Sequence, residues 1–202
     1  MKKLLPILVL ASLLAPTACE EMYDPPGTTP PRWPDLTSPA NVLKTVEISF
    51  NERNIDFFKS TLGPNFVFYF DPREVGQRPP GEPHYKIPGS RTDFLHAVKN
   101  MFDQAYSITL SIPTGRVGMP AENETTYGAD NINLSILVMA DEVNGYVADG
   151  YCNFEFESYP TKERKKNWRI TNWWDRTSPV NGKSNGIKPM SLGRVLALYY
   201  PE

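Results

Sequence analysis

The chain has 202 residues, of which 40% are hydrophobic and 22% are charged. This composition is typical of a globular protein, and a content of 2 cysteines excludes a disulfide scaffold. The 21 basic and 23 acidic residues give a formal charge of −2, so the chain lacks the positive charge that attracts a phosphate backbone. We therefore expect no nucleic acid among its partners.

The chain begins with a segment that has the pattern of an export signal. Lys2 and Lys3 give a positive start, and the apolar run over residues 4–14 is shorter than the roughly 20 residues that span a bilayer. Cys19 then follows Ala18, and the next twenty residues are rich in proline without hydrophobic periodicity. This order predicts a signal peptide, a tether and a folded part. Their ranges are residues 1–18, 19–37 and 38–202.

A positive start, an apolar core, a small residue and a cysteine resemble the leader of a bacterial lipoprotein. The resemblance implies that Cys19 carries a diacylglyceryl group and an acylated amine, typically with palmitate. Glu20 after the cysteine favours the outer membrane under the sorting rules of such proteins. The expected partner is thus a membrane of the bacterial cell envelope, reached through the lipid anchor. An ordinary secreted protein is the alternative, because Pro16 stands where lipoproteins usually carry a leucine-like residue.

Helices are predicted at the front of the folded part. Ser38 before Pro39 and Ser90 before Arg91 have the pattern of helix caps, and apolar residues recur behind them at helical spacing. The predicted helices lie within residues 39–50, 55–62 and 91–102. An aromatic strand at residues 66–70 separates the second helix from the third.

From Ser107 onward the pattern has the period of strands. Apolar and polar residues alternate over residues 108–112 and 132–138, and a closing strand covers residues 168–173 after a charged turn. Helices followed by strands that are joined in hairpins predict an α+β fold, with three helices on one face of a curved, mostly antiparallel sheet.

Cys152 lies in one of these predicted strands. It shares its phase with Phe154 and Phe156, which indicates a buried position. Because the lipid would occupy Cys19, Cys152 has no disulfide partner in the chain. We expect a free, buried thiol.

The order of helix, helix, aromatic strand, helix and meander resembles the nuclear-transport-factor-2-like superfamily, which includes ketosteroid isomerases and polyketide cyclases. The residues that carry the resemblance are Asn54-Ile55-Asp56-Phe57-Phe58, Asn65-Phe66-Val67-Phe68-Tyr69-Phe70, the strand around Phe154, and Trp168-Arg169-Ile170 with Trp173 and Asp175. The resemblance covers about residues 38–178 and implies a cone-shaped fold. Residues 191–199 are similar to the tail of bacterial lipoproteins of uncharacterised function that carry this domain.

The superfamily contains enzymes and domains that only bind. An isomerase of this kind needs a carboxylate base, with a tyrosine and a protonated acid that form an oxyanion hole. By residue type the candidates are Glu155, Asp175 and Tyr69, and no catalytic role is assigned to any of them. The alternative for each is a solvated strand face, a surface ion pair or a core aromatic.

Five apolar residues are candidates for the lining of a pocket for a small apolar ligand. They are Phe68, Phe154, Trp168, Ile170 and Trp173. Trp173 and Trp174 should face opposite ways, one buried and one partly exposed, unless a bulge intervenes. The alternative is a sheet that is buried on both faces, by helices and by a partner or the C-terminal tail.

No metal or cofactor is expected, because the chain has neither a phosphate-binding glycine loop nor paired Cys or His spacing. Two functions follow from the sequence. The favoured one is a lipid-anchored, non-catalytic domain that binds a small apolar ligand or a protein partner, including a second copy in a homodimer. The alternative is an isomerase-, cyclase- or dehydratase-like enzyme that acts on a small apolar substrate in the cone.

Overall fold

A polar residue caps the N-terminus of each of the first three helices. The Ser38 hydroxyl accepts a hydrogen bond of 3.2 Å from the Asn41 N–H, and Pro39 then takes the first turn, where its missing N–H costs nothing. Asn54 and Ser90 cap the next two helices in the same way. In the computed structural model, which describes residues 33–71, 89–161, 166–178 and 186–200, the helices are α1 Pro39–Asn51, α2 Ile55–Ser60, α3 Arg91–Gln104 and α4 Leu192–Ala197.

Seven strands of the described residues form one sheet. They are β1 Leu62–Tyr69, β2 Gly89–Ser90, β3 Ser107–Ser111, β4 Thr126–Met139, β5 Gly145–Pro160, β6 Lys166–Ser178 and β7 Ile187–Pro189. The order across the sheet is β2-β1-β6-β5-β4-β3, and β7 pairs with the start of β5. The strands from β3 to β6 pair antiparallel, as the alternating pattern predicts. β1 pairs parallel with β6, which brings the aromatic strand beside the closing strand. The α+β prediction is confirmed, with a mixed sheet.

The helices cover one face of the sheet, which we call the inner face. Phe68 on β1 stacks on Phe94 of α3 with ring centroids 4.7 Å apart, and Trp173 on β6 lies 5.8 Å from the same ring. Phe50 of α1 packs edge-on against Phe102 of α3. Burial of this aromatic and aliphatic surface provides the main favourable contribution to folding.

A bulge in β6 changes which of its residues face the helices. Phe156 pairs with Ile170 and Glu155 with Asn172, so Thr171 is an extra residue. Before the bulge, Trp168 and Ile170 are buried; after it, burial falls on the odd-numbered residues, from Trp173 to Thr177. A regular alternation would have placed Ile170 and Trp173 on opposite faces, and the extra residue puts both on the inner face. Trp173 is buried and Trp174 half-buried, which confirms that these neighbours face opposite ways.

Part of the segment assigned to the tether contacts the folded part. Trp33 stacks on Phe57 with ring centroids 4.0 Å apart and planes 8° from parallel. The Leu36 carbonyl accepts a hydrogen bond of 2.7 Å from the Trp168 N–H. Cys19 and the predicted signal peptide lie outside the described residues.

Candidate functional site

The inner face holds all five residues that the sequence offers as pocket lining. Each is at most 2% exposed: Phe68, Phe154, Trp168, Ile170 and Trp173. The Phe154 and Trp173 rings have centroids 4.9 Å apart, and those of Phe68 and Trp173 are 5.8 Å apart. All five belong to one hydrophobic core, in which Phe68 and Trp173 also contact Phe94 of α3. A ligand role for them stays a prediction.

Cys152 lies within this core, as a free and fully buried thiol, which confirms the prediction. Burial raises the pKa of the Cys152 thiol, and the Asp175 carboxylate, on the residue paired with it across β5 and β6, raises it further. The Trp173 indole and the Arg176 backbone act in the opposite direction and lower the pKa, without offsetting the effect of burial. The thiol is therefore protonated and unreactive in the folded state.

Asp175 is a fully buried carboxylate that joins β6 to α4. One oxygen, Oδ1, accepts hydrogen bonds from the Thr177 N–H at 2.9 Å and the Thr177 hydroxyl at 2.6 Å. The other, Oδ2, accepts one of 2.7 Å from the Gly193 N–H in the first turn of α4. The Thr177 hydroxyl oxygen in turn accepts from the Leu192 N–H at 2.7 Å. Both carboxylate oxygens are thus engaged in holding the C-terminal helix on the sheet.

Glu155 and Tyr69 lie on the opposite face, which we call the outer face. Glu155 is exposed, and its Oε2 accepts a hydrogen bond of 2.7 Å from the Asn172 side-chain amide. Tyr69 is half-buried and stacks on Trp174, with ring centroids 5.1 Å apart and planes 8° from parallel. The three acid–base candidates therefore do not converge: Asp175 lies on the inner face, and the sheet separates it from the other two.

The outer face carries a groove across β4, β5 and β6. Its first section has a volume of about 240 Å³. Its lining includes Gly128, Asp130, Asn153, Glu155, Trp174 and Arg176. The second section has a volume of about 450 Å³. Its lining includes Asn133, Ser135, Asp149 and Tyr151 on β4 and β5, together with Ser111 at the end of the neighbouring strand β3. The two sections adjoin, because Tyr151 of the second pairs directly with Arg176 of the first.

A second bulge shapes this groove. It lies in β4 between Ala129 and Ile132, where Asn131 has a left-handed backbone with φ 55°. The Asn131 N–H donates a hydrogen bond of 2.9 Å to Oδ1 of Asn153 on β5, which replaces the strand pairing lost there. Asp130 and Asn131 are both exposed beside the first section. Bulges and left-handed non-glycine residues are concentrated near binding sites.

Sequence reasoning missed the groove. The polar phase of β5, which includes Tyr151, Asn153 and Glu155, is visible in the sequence and is typical of a solvated strand face. What distinguishes a groove from such a face is the register with Gly128 on β4 and Arg176 on β6, and a single strand does not carry that information.

Among the described residues no group of three His, Cys, Asp or Glu side chains is close enough to hold a metal ion. Within the same residues, no helix has the length and apolar character needed to cross a membrane.

No known protein-family model matches the sequence, and no curated protein matches it. Solved structures do match the fold. A protein from Kribbella flavida is 12% identical, with 78% of this chain and 92% of that chain covered and a TM-score of 0.50. A nuclear-transport-factor-2-like superfamily protein from Salmonella enterica is 13% identical, with 73% and 93% covered and a TM-score of 0.48. A hexachlorocyclohexane dehydrochlorinase from Novosphingobium barchaimii is 11% identical, with 70% and 87% covered and a TM-score of 0.44.

The chain has the nuclear-transport-factor-2-like fold, an α+β cone of helices on a curved, open sheet. Identities of this size relate folds and not activities. The fold is used by enzymes and by non-enzymes, so the function must be argued from the side chains of this chain.

Proposed function

We propose that this is a lipid-anchored protein of the bacterial cell envelope whose folded domain binds a ligand or partner without catalysis. The observation that carries the non-catalytic part is the state of Asp175. It is the inward carboxylate among the acid–base candidates, and both of its oxygens accept hydrogen bonds from Thr177 and Gly193. A general base needs a carboxylate oxygen that can reach the substrate proton. The hydrogen bonds from Thr177 and Gly193 hold both oxygens of Asp175 and oppose that role.

The packing of the inner face also favours binding over catalysis. In this fold a substrate would enter between the helices and the sheet, where Phe68 and Trp173 already pack against α3 and Phe154 packs against Trp173. Glu155 and Tyr69 lie on the outer face and do not reach that space. An isomerase- or cyclase-like reaction would therefore lack a base beside its substrate.

The anchor is proposed from the sequence around Cys19. A lipid on this cysteine would leave about 14 residues before Trp33, where the described residues begin. At roughly 3.3–3.6 Å per extended residue such a tether reaches at most about 50 Å. The domain would thus stay close to the membrane surface.

Metabolic labelling tests the anchor. We expect labelled palmitate to enter the wild-type protein and the C152A variant, and not the C19A variant. The C152A control separates acylation of the leader cysteine from acylation of any cysteine. Wild-type protein that takes up no label, or C19A that takes up as much as wild type, would show the anchor to be wrong. Density-gradient fractionation should place the labelled protein in the outer membrane.

A turnover assay tests the non-catalytic part. The full-length protein in detergent is incubated with a β,γ-unsaturated ketosteroid, and formation of the conjugated enone is followed by absorbance. We expect no conversion above the buffer rate. Conversion by the wild type that is lost in D175N would show that the protein is an enzyme and that Asp175 is its base. The circular dichroism spectrum must show that the variant is folded.

A further inference from the structure

We propose that the outer-face groove binds a neutral, extended oligosaccharide, with the Trp174 and Tyr151 rings as its stacking surfaces. The inference rests on the proposed binding function and names the ligand class and the site. It places the ligand on the sheet face away from the helices, where the sequence suggested no pocket.

One residue that lines the groove is a glycine with open space above it. Gly128 on β4 pairs with Glu155 on β5, and a Cβ built on Gly128 would meet no heavy atom within 4 Å. Its φ lies outside the left-handed region, so neither packing nor backbone conformation requires glycine there. A glycine inside a strand costs stability, and one explanation is the close approach of a ligand. The missing side chain leaves the Glu155 carboxylate accessible from the groove.

One of the two aromatic rings of the groove, that of Trp174, is held in place before any ligand arrives. Trp174 is half-buried, and its stacking on Tyr69 fixes the orientation of the indole. Tyr151 is 49% exposed and lies two residues along β5 from Asn153. Rigid, partly exposed aromatic rings bind apolar surface at a low cost in conformational entropy. The C–H faces of a pyranose ring offer such a surface.

The polar groups between the rings match the hydroxyl rim of a sugar. Asp130, Glu155 and Asp149 supply carboxylate acceptors, and Arg176 supplies donors. Within the described residues the Asp130 carboxylate and the Arg176 guanidinium make no side-chain hydrogen bond or ion pair, so both are available to a ligand. Sugar hydroxyls donate and accept, and so can satisfy both kinds of group at once.

Charge decides between classes of sugar. The groove carries three carboxylates and one guanidinium, so its potential is negative and opposes uronic acids, phosphorylated glycans and nucleotides. The carboxylates are spread over both sections and alternate with Asn153, Asn133 and Ser135, which favours a chain of neutral units over a compact cation. A groove that crosses three strands fits an extended chain.

Calorimetric titration of the full-length protein in detergent tests the proposal. The probes are the hexamers of β-1,4-linked glucose and of β-1,4-linked N-acetylglucosamine, followed in parallel by tryptophan fluorescence. We expect at least one hexamer to bind and to change the fluorescence. W174A and G128F should each weaken binding at least tenfold, G128F by filling the groove from a position where a Cβ meets nothing within 4 Å. Y106A, which removes a 57% exposed ring outside the groove, should bind as wild type does.

The outcomes separate this proposal from the broader function. If neither hexamer binds at millimolar concentration, or if binding is unchanged in both W174A and G128F, the oligosaccharide site is wrong. Light scattering that shows a dimer, converted to monomer by these two variants, together with no sugar binding, would show that the face joins two copies of the chain. The non-catalytic function is tested separately, because only turnover of the steroid would overturn it.

Discussion

The Asp175 carboxylate accepts a hydrogen bond of 2.7 Å from the Gly193 N–H, eighteen residues further along the chain. Because this carboxylate is fully buried, each donor left without it would pay a desolvation cost of about 1–3 kcal/mol. The contact gives the residue a structural role that its type alone does not indicate.

Removing this carboxylate should destabilise the domain. For D175A we expect a loss of at least about 3 kcal/mol in the free energy of unfolding, because the Thr177 and Gly193 donors lose their acceptor. Urea denaturation measures this loss in the free energy of unfolding. E155Q is the matched control, since Glu155 is exposed and glutamine keeps an acceptor for Asn172. Equal stability of D175A and E155Q would contradict the role in holding α4.

Gly193 should tolerate no side chain. A Cβ there would lie well inside contact distance of Phe70 Cδ1 and 3.2 Å from Asp175 Oδ2, and both neighbours are buried. We expect G193A to cost about 1–3 kcal/mol through overpacking. G115A is the control, because a Cβ on Gly115 meets nothing within 4 Å. The midpoint of thermal denaturation should be lower than that of the wild type in G193A and unchanged in G115A.

The tryptophans of β6 should differ in their contribution to stability. Trp168 is 2% exposed, and truncation of such a residue to alanine typically costs about 3–5 kcal/mol. Trp174 is half-buried on the outer face, so W174A should cost clearly less. Comparison of the two urea midpoints checks the ranking. A greater loss in W174A would mean that the face assignment of β6 is inverted.

The Cys152 thiol should make stability fall at alkaline pH. Its pKa is raised in the folded state by burial, so the stability it confers is fully present below the unfolded value near 9.0 and is lost as the pH rises above it. Between pH 8 and 10 the unfolding free energy of C152V should therefore fall less steeply than that of wild type. Native protein should also resist iodoacetamide, and unfolded protein should react at once. Rapid alkylation of native protein would show an accessible thiol.

The elements that depend on local chemistry could be predicted from the sequence. Ser38 and Ser90 mark helix starts because the cap and its N–H partner are three residues apart. Likewise the phase of Cys152 with Phe154 fixes the buried side of β5, because strand alternation is local.

The features that depend on register could not be predicted. The extra residue Thr171 moves burial in β6 from the even-numbered residues, such as Ile170, to the odd-numbered ones, such as Trp173, and this bulge is defined only by the strand that lies opposite. The role of Asp175 depends in the same way on α4, whose Gly193 lies far along the chain. Prediction of the groove requires both the alternation within each strand and the register between strands, since the lining of its first section comes from β4, β5 and β6 together.

The parallel pairing of β1 with β6 has a consequence for the order of synthesis. Phe68 lies beside Trp173, about a hundred residues later, and α4 comes later still. Such distant contacts form slowly, since a long loop must close before they can stabilise the chain. The core therefore stays incomplete until the ribosome has released the chain as far as α4, so the aromatic strand β1 must wait for its partner through most of the synthesis of the domain.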